Sequence, residues 1–169
     1  MAKIDEVIFS KIIEFIKRIG IQIEFCTINS EAFLPGLRIE KGVLQIDIDK
    51  LSYIGDTLHE AGHIALMLPE ERKNLFGSLE GQDKNNAAAT EMAVIAWTYA
   101  ACLEIGIDPV VVFHSDGYKG DSENILSNFN QGHYFGVPIL EWYGMTDRAT
   151  DIQQNNTQSY PRMVSWLRT

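Results

Sequence analysis

The sequence has few cysteines, since Cys26 and Cys102 are the only two among its 169 residues. They lie far apart, and neither belongs to a Cys-x-x-Cys pair, so the chain offers no disulfide framework. Disulfide frameworks are characteristic of oxidising compartments, and a chain without one suits a reducing compartment. The cysteine pattern therefore predicts a cytoplasmic protein.

Basic residues are also in the minority. Lys and Arg number 14 against 23 Asp and Glu, which gives a formal net charge of −9, and no Lys/Arg cluster stands out. Proteins that bind nucleic acid through its phosphates need a concentrated basic surface. We therefore expect no direct binding of nucleic acid.

Long apolar runs are missing as well. A secretory signal peptide has a continuous apolar core, but charged residues interrupt residues 1–20. No run approaches the roughly 20 apolar residues of a membrane span. The sequence predicts neither a signal peptide nor a membrane partner.

Apolar residues nevertheless make up 46% of the chain, which is enough for a hydrophobic core. No repeat or linker divides the sequence, which predicts a single domain over residues 1–169. Helical spacing of apolar residues predicts an amphipathic helix over residues 4–19. Alternating apolar and polar residues then predict three half-buried, partly antiparallel strands, at 21–25, 37–40 and 44–48, the last two joined by a turn at Lys41-Gly42.

The remainder of the chain is predicted to be mainly helical. The patterns predict a helix over 56–68, a loop over 70–83, a helix over 84–104, a strand or helix start at 109–113, a short helix over 122–131, an ordered loop over 132–145 and a last short helix over 159–168. Strands followed by helices indicate the α+β class, with a small sheet near the N-terminal helix and a mixed C-terminal segment.

The stretch DTLHEAGHIALM carries two of the four histidines, His59 and His63, with Glu60 directly after the first. On a helix, residues four apart lie on one face, so both imidazoles can converge on one ion. Zinc binds neutral imidazole and takes a tetrahedral set of ligands. Glu60 would lie beside a metal-bound water and take its proton, as in the HExxH arrangement of zinc peptidases. The simpler interpretation is a pair of core or surface histidines on an amphipathic helix.

Glu91 is the candidate for a third ligand. It is the only charged residue in the stretch 87–102, and its helical neighbours are apolar. The pattern therefore predicts a buried carboxylate, which is costly unless it is paired, protonated or bound to a metal. A buried salt bridge and a protonated Glu91 remain the alternatives to a metal ligand.

With these motifs, the chain resembles a gluzincin-type metallopeptidase, most closely the small ImmA/IrrE-like domain. Strands, a helix with His-Glu-x-Gly-His and a following helix with Glu occur in that order over about residues 20–105. The resemblance implies a zincin-like fold, a Zn²⁺ ion held by His59, His63 and Glu91, Glu60 as general base, and a protein or peptide substrate. Family members that regulate transcription often act on, or sit beside, a helix-turn-helix repressor, but no such DNA-binding unit is evident here.

A peptidase also needs a hydrogen-bond donor for the carbonyl oxygen that becomes anionic during the reaction. Related enzymes use a downstream His or Tyr, and the adjacent His133 and Tyr134 are the first candidates. Both lie in a segment, 107–169, that has no counterpart in the family and whose role is open. Packing within a glycine-rich loop is the simpler interpretation of this pair. The other candidates are His114, Tyr118 and Tyr99.

Three functions fit these observations: a zinc peptidase, a non-catalytic metal-binding protein that recognises a partner protein, and a toxin, antitoxin or stress-response component. Glu60 favours the peptidase, because a structural site needs no such carboxylate, and structural zinc is more often bound by cysteine. The strand Val43–Ile48, polar on one side, is predicted to be a sheet edge where an extended substrate adds as another strand.

Overall fold

The computed structural model describes residues 5–29, 34–74, 84–148 and 159–169, with the side chains of 84–87 left aside. Within these ranges the chain forms a mixed α+β structure. Its elements are α1 (Glu6–Arg18), β1 (Ile23–Phe25), β2 (Leu37–Glu40), β3 (Val43–Ile46), α2 (Ile54–Ala65), α3 (Pro69–Arg72), α4 (Lys84–Ile105), α5 (Ser122–Asn130) and α6 (Val137–Trp142). Two short 3-10 turns, Pro109–Val111 and Tyr118–Gly120, lie between α4 and α5. The α+β class predicted from the sequence is confirmed.

The first helix begins at a clear capping residue. The carboxylate of Asp5 accepts hydrogen bonds from the backbone N–H groups of Val7 and Ile8, which the first turn of a helix leaves without partners. One face of α1 is buried, through Phe9, Ile12, Ile13, Phe15 and Ile16. This confirms the amphipathic helix predicted over residues 4–19.

The three strands form one sheet in the order β1-β3-β2. β1 pairs with β3 in parallel, and β2 pairs with β3 antiparallel. Lys41 and Gly42 join β2 to β3 with positive φ angles of 52° and 75°, the backbone that a two-residue hairpin requires. The predicted strands and their partly antiparallel pairing are therefore confirmed.

The sheet order contradicts the prediction that Val43–Ile48 forms an edge. β3 is the central strand, so its main-chain groups pair with a neighbour on each side. The polar residues that indicated a solvent-facing strand are in fact buried: Gln45 is 9% exposed and Asp47 only 4%. The Gln45 side chain hydrogen-bonds to side chains on both neighbouring strands, and the Asp47 carboxylate accepts from the backbone N–H of Ile28. A substrate cannot add as a strand beside β3.

The long helix α4 forms the centre of the hydrophobic core. It packs against α1, α2 and α6, and every residue from Ala93 to Cys102 is buried. Its segment Ala88–Ile105 is long and apolar enough to cross a membrane by length and composition, so the prediction that no run approaches such a span is wrong. Because 56% of that segment is buried within the protein, core packing accounts for its apolar character.

Three other predicted segments differ from the structure. α2 is shifted towards the N-terminus, since it begins at Ile54 and ends at Ala65. The predicted loop over 70–83 begins with the single turn of α3, and residues 75–83 lie outside the described residues. The predicted ordered loop over 132–145 contains α6, which follows Gly136 and has a proline in its first turn, a common helix start. In the 109–113 segment, where a strand or a helix start was predicted, the chain forms a 3-10 turn, which agrees with the second alternative and excludes the strand.

The predicted last helix, over 159–168, does not form. Instead, the C-terminal segment binds the end of α2, where the backbone N–H of Arg168 donates to the carbonyl of Ala65 at 2.9 Å. Arg72, in α3, donates from its guanidinium to the carbonyl of Ile64 at 3.1 Å. The last carbonyls of a helix lack partners within it, and arginine both donates to them and complements the helix dipole. Trp166 completes the attachment by packing edge-on against the ring of Trp97.

A close backbone contact ties α2 to the segment after α4. Gly55, in the first turn of α2, lies against the 3-10 turn that ends at Val111. A methyl group on Gly55 would overlap the carbonyl oxygen of Val111 and lie 2.6 Å from the Cα of Val112. Only glycine allows this approach.

We expect Gly55→Ala to destabilise the protein by about 1–3 kcal/mol, because the methyl group forces two backbone segments apart. Urea denaturation followed by circular dichroism measures this change. Gly106→Ala is the control, since Gly106 has a positive φ of 63° with no atom near the added methyl group, and should cost about 1 kcal/mol. Helix propensity alone would make Gly55→Ala stabilising, so an unchanged or increased stability would contradict the contact.

Candidate metal centre

The site is built where α2 crosses α4. A methyl group on Gly62 would lie 3.0 Å from both Trp97 Cε3 and Val94 Cγ1, so the two helices approach more closely than a side chain at this position would allow. His59 and His63 flank Gly62 on α2, and Glu91 lies one turn before Val94 on α4. Gly62 therefore permits the close approach of α2 and α4.

The crossing brings the donor atoms of three residues together. The Nε2 atoms of His59 and His63 are 3.1 Å apart. Glu91 Oε1 lies 3.4 Å from His59 Nε2, and Glu91 Oε2 lies 3.4 Å from His63 Nε2. The structure therefore joins the three residues predicted as ligands, although the third comes from a different helix.

These separations fit a divalent metal ion. Ligand atoms about 2.0–2.1 Å from a tetrahedral ion lie roughly 3.3–3.4 Å from one another. Each Glu91 oxygen lies at this distance from one histidine nitrogen, and the two histidine nitrogens are slightly closer, at 3.1 Å. Two imidazole nitrogens and one carboxylate oxygen are a donor set typical of such ions. A cluster that could hold a metal is thus formed by His59, His63 and Glu91.

The histidines are in the protonation state that binds metal. The pKa of His59 lies well below its ordinary value of 6.5, because burial disfavours the charged form and a charged His63 would repel it. Burial lowers the pKa of His63 to about 4. Both rings are therefore neutral at pH 7. An ion pair with Glu91 would need a positively charged imidazole. A salt bridge alone does not explain the cluster at neutral pH.

Glu91 is less buried than the sequence indicated. Its side chain is 41% exposed, whereas those of His59 and His63 are 12% and 13% exposed. The reason is that the first turns of α4 emerge from the core, and the helix becomes fully buried only from Ala93 onwards. The prediction of a buried carboxylate was therefore wrong, although the residue lies beside the two histidines as expected.

A tyrosine and a second carboxylate lie next to this cluster. The Tyr118 hydroxyl is 2.9 Å from His59 Nδ1, the ring nitrogen that does not face the other donors. The pKa of Tyr118 lies well above its ordinary value of 10, because of burial and the nearby negative charges of Glu91, Asp56 and Glu60. Glu60, half-buried on α2, is therefore one of the carboxylates whose negative charge acts on the Tyr118 hydroxyl.

One turn before His59 on α2, Asp56 takes part in a second cluster of polar side chains. His114 Nε2 lies 3.0 Å from Asp56 Oδ1, and the His114 ring stacks on Tyr53 with centroids 3.7 Å apart. The Tyr53 hydroxyl in turn bonds to Asp116. Burial raises the pKa of Asp56, and the hydrogen bond from His114 opposes this rise.

The contacts of His133 and Tyr134 are with other residues than the three donors. His133 is exposed, and its backbone N–H donates to the carbonyl of Asn128 at 2.8 Å. The Tyr134 ring packs against Phe129 and Tyr160, with centroids 5.6 and 4.7 Å away. The assignment of this pair to the anionic oxygen stays a prediction.

Tyr99, another of the tyrosines considered, has its hydroxyl 3.3 Å from Asn130 Oδ1. The contact of Tyr118 with His59 was not foreseen from the sequence. The only local signal for it is the stretch Gly117-Tyr-Lys-Gly120, whose two glycines indicate a tight turn.

No protein family model, curated protein or solved structure matches this chain. The candidate centre therefore depends on its own geometry and on the sequence motif.

We expect Gly62→Val to lower the free energy of unfolding by about 1–3 kcal/mol and to weaken metal binding, because the added carbons push α4 and Glu91 away from α2. Urea denaturation and zinc titration measure the two effects. Gly62→Ala is the matched control: its methyl group is at the limit of contact and is offset by a gain in helix propensity of up to about 1 kcal/mol. Parental stability and metal affinity in the valine variant would show that the crossing does not depend on Gly62.

Proposed function

We propose that the protein is a zinc-dependent metallopeptidase. The observation that carries the proposal is the convergence of His59, His63 and Glu91, in which each pair of residues brings two donor atoms to within 3.4 Å of each other. Glu60 follows the first ligand directly on the same helix, where an HExxH peptidase has its general base. Neither feature would be needed in a helix that only packs.

Zinc is the ion that best suits this donor set. Neutral imidazole and carboxylate are common zinc ligands, and three protein ligands leave one coordination position for a water or a substrate. Structural zinc sites usually have four protein ligands and are often rich in cysteine. The two cysteines are not part of this site, since Cys102 is buried in the core and Cys26 follows β1. The donor set therefore supports an open, catalytic type of site.

Bound zinc would lower the pKa of a water molecule and polarise the peptide carbonyl. The residues of the chain then handle the protons. Glu60 accepts a proton from the attacking water and delivers it to the nitrogen of the departing amine, which makes that nitrogen a better leaving group. Its half-buried position next to a ligand suits a general base.

We also propose that the chain is a zincin-like protein of gluzincin type, related to the ImmA/IrrE-like domain. What supports this is the order of elements: sheet, α2 with both histidines and Glu60, and α4 with Glu91. The segment after residue 107 completes this framework, because it contributes Tyr118 to the surroundings of His59 and the cap on the end of α2. Its role is thus at least partly to support the site.

We expect purified protein to bind about one zinc ion per chain, since the site supplies one set of three ligands. Elemental analysis after zinc loading and removal of the excess measures this ratio. His63→Ala should abolish tight binding, because two ligands remain. His133→Ala replaces an exposed histidine that is not one of the three donors and should keep the metal. A parent protein that retains no transition metal would remove the basis of the proposal.

Two glutamate variants separate chemistry from metal binding. Glu60→Gln should retain zinc and lose hydrolysis of an unfolded substrate such as fluorescein-labelled casein, because an amide cannot accept the proton. Glu91→Gln should instead weaken zinc binding, because a neutral amide is a poorer ligand than a carboxylate. Both variants replace a carboxylate by an amide, so any difference between them comes from the position of the residue. The opposite pattern would reverse the assigned roles, and zinc binding without any cleavage by the parent would favour a non-catalytic metal-binding protein.

A further inference from the structure

The turn Gly117–Gly120 has an unusual backbone. Tyr118 and Lys119 are both in the left-handed region, with φ angles of 53° and 57°, and Gly120 follows at 85°. Residues with side chains rarely adopt this conformation, and two in succession are less common still. Such backbone persists where the surroundings fix it, and it is concentrated at functional sites.

The contacts around the turn show what fixes it. The Ser122 hydroxyl donates to the carbonyl of His114 at 2.6 Å, and the backbone N–H of Gly117 donates to the same carbonyl at 3.1 Å. The ring of Tyr118 lies against the ring of Phe113, which is buried, with centroids 5.1 Å apart. Hydrogen bonds thus hold the turn at Gly117 and at Ser122, and the Phe113 ring supports the side chain of Tyr118.

The result of this backbone is the position of one hydroxyl group. The Tyr118 ring meets the His59 ring nearly at right angles, at 88° with centroids 5.4 Å apart, and its hydroxyl is 2.9 Å from Nδ1. When His59 Nε2 binds a metal ion, Nδ1 must carry the ring proton and can only donate. The phenol oxygen is then the acceptor of that hydrogen bond.

The two histidines differ in this respect. His63 Nδ1 is buried and has no hydrogen-bond partner among the residues that the structure describes. Metal-binding histidines usually donate their other N–H group to an acceptor, which fixes the tautomer and the ring orientation. Within the described part of the chain, Tyr118 supplies such an acceptor to His59.

We propose that Tyr118 is a positioning residue, which holds the His59 ring in the tautomer and orientation that bind the metal. The proposal deepens the metal site of the proposed function and does not depend on peptide hydrolysis. A different role, in which Tyr118 donates its proton to the substrate, would leave metal affinity unchanged and reduce turnover. The two roles therefore make opposite predictions for metal binding.

The test is Tyr118→Phe, which removes the hydroxyl and keeps the ring. We expect about 10–100-fold weaker zinc binding, the usual effect of losing such a hydrogen-bond partner, with the ratio of zinc to protein retained at saturation. Competition with a chromophoric chelator measures the affinity. Tyr53→Phe is the matched control, because it removes a tyrosine hydroxyl that bonds to Asp116 near the same helix, and its zinc affinity should equal that of the parent.

A second measurement uses the parent and does not depend on how the variant folds. In zinc-loaded protein, long-range ¹H–¹⁵N spectra should show a slowly exchanging His59 Nδ1–H proton with a cross-peak to the Tyr118 ring, and Tyr118→Phe should speed its exchange. The absence of this proton in the parent, or an unchanged zinc affinity in Tyr118→Phe, would overturn the proposal. If zinc binding depends on Tyr118 but the parent protein cleaves no peptide, the positioning role of Tyr118 is supported and the proposed hydrolase activity is refuted.

Discussion

The close contact between α2 and α4 at Gly62 is the constraint on which the site depends. Because Gly62 has no side chain, Val94 and Trp97 lie directly against the backbone of α2. That distance allows Glu91 to reach both histidines from a separate helix. On the same helix, Gly55 allows the segment at Val111 to approach equally closely. Two glycines on α2 thus bring two distant segments to the candidate metal centre.

The electrostatics of the centre are consistent with the presence of a cation. Two neutral histidines lie among the carboxylates of Asp56, Glu60 and Glu91, all within electrostatic reach of the Tyr118 hydroxyl. Negative charge near the histidines would attract a cation bound between them and Glu91, although Asp56 is already hydrogen-bonded to His114. This charge distribution gives a physical reason for the site that is independent of any sequence motif.

The parts of the structure that could be predicted are those set by short sequence separations. His59, Glu60 and His63 belong to one helix, so their spacing alone places them together. Glu91 was identified as a lone charge in an apolar stretch, although it lies where the helix leaves the core. Sheet order, by contrast, depends on pairing between distant strands, and no local pattern indicates that β3 is central. The contact of Tyr118 with His59 spans 59 residues and depends on backbone angles that composition does not reveal.

The attachment of the C-terminal segment has a consequence for the order of folding. The Arg168 guanidinium donates to the carbonyl of Leu66, 102 residues earlier in the chain. A ribosome releases α2 and α4, with all three metal ligands, well before it releases Arg168. Until then the end of α2 lacks the hydrogen bonds from Arg168, although those from Arg72 can already form, and closing so long a loop delays the Arg168 contact further. A nascent chain can thus display His59, His63 and Glu91 before the helix that carries the two histidines has all of its C-terminal hydrogen bonds.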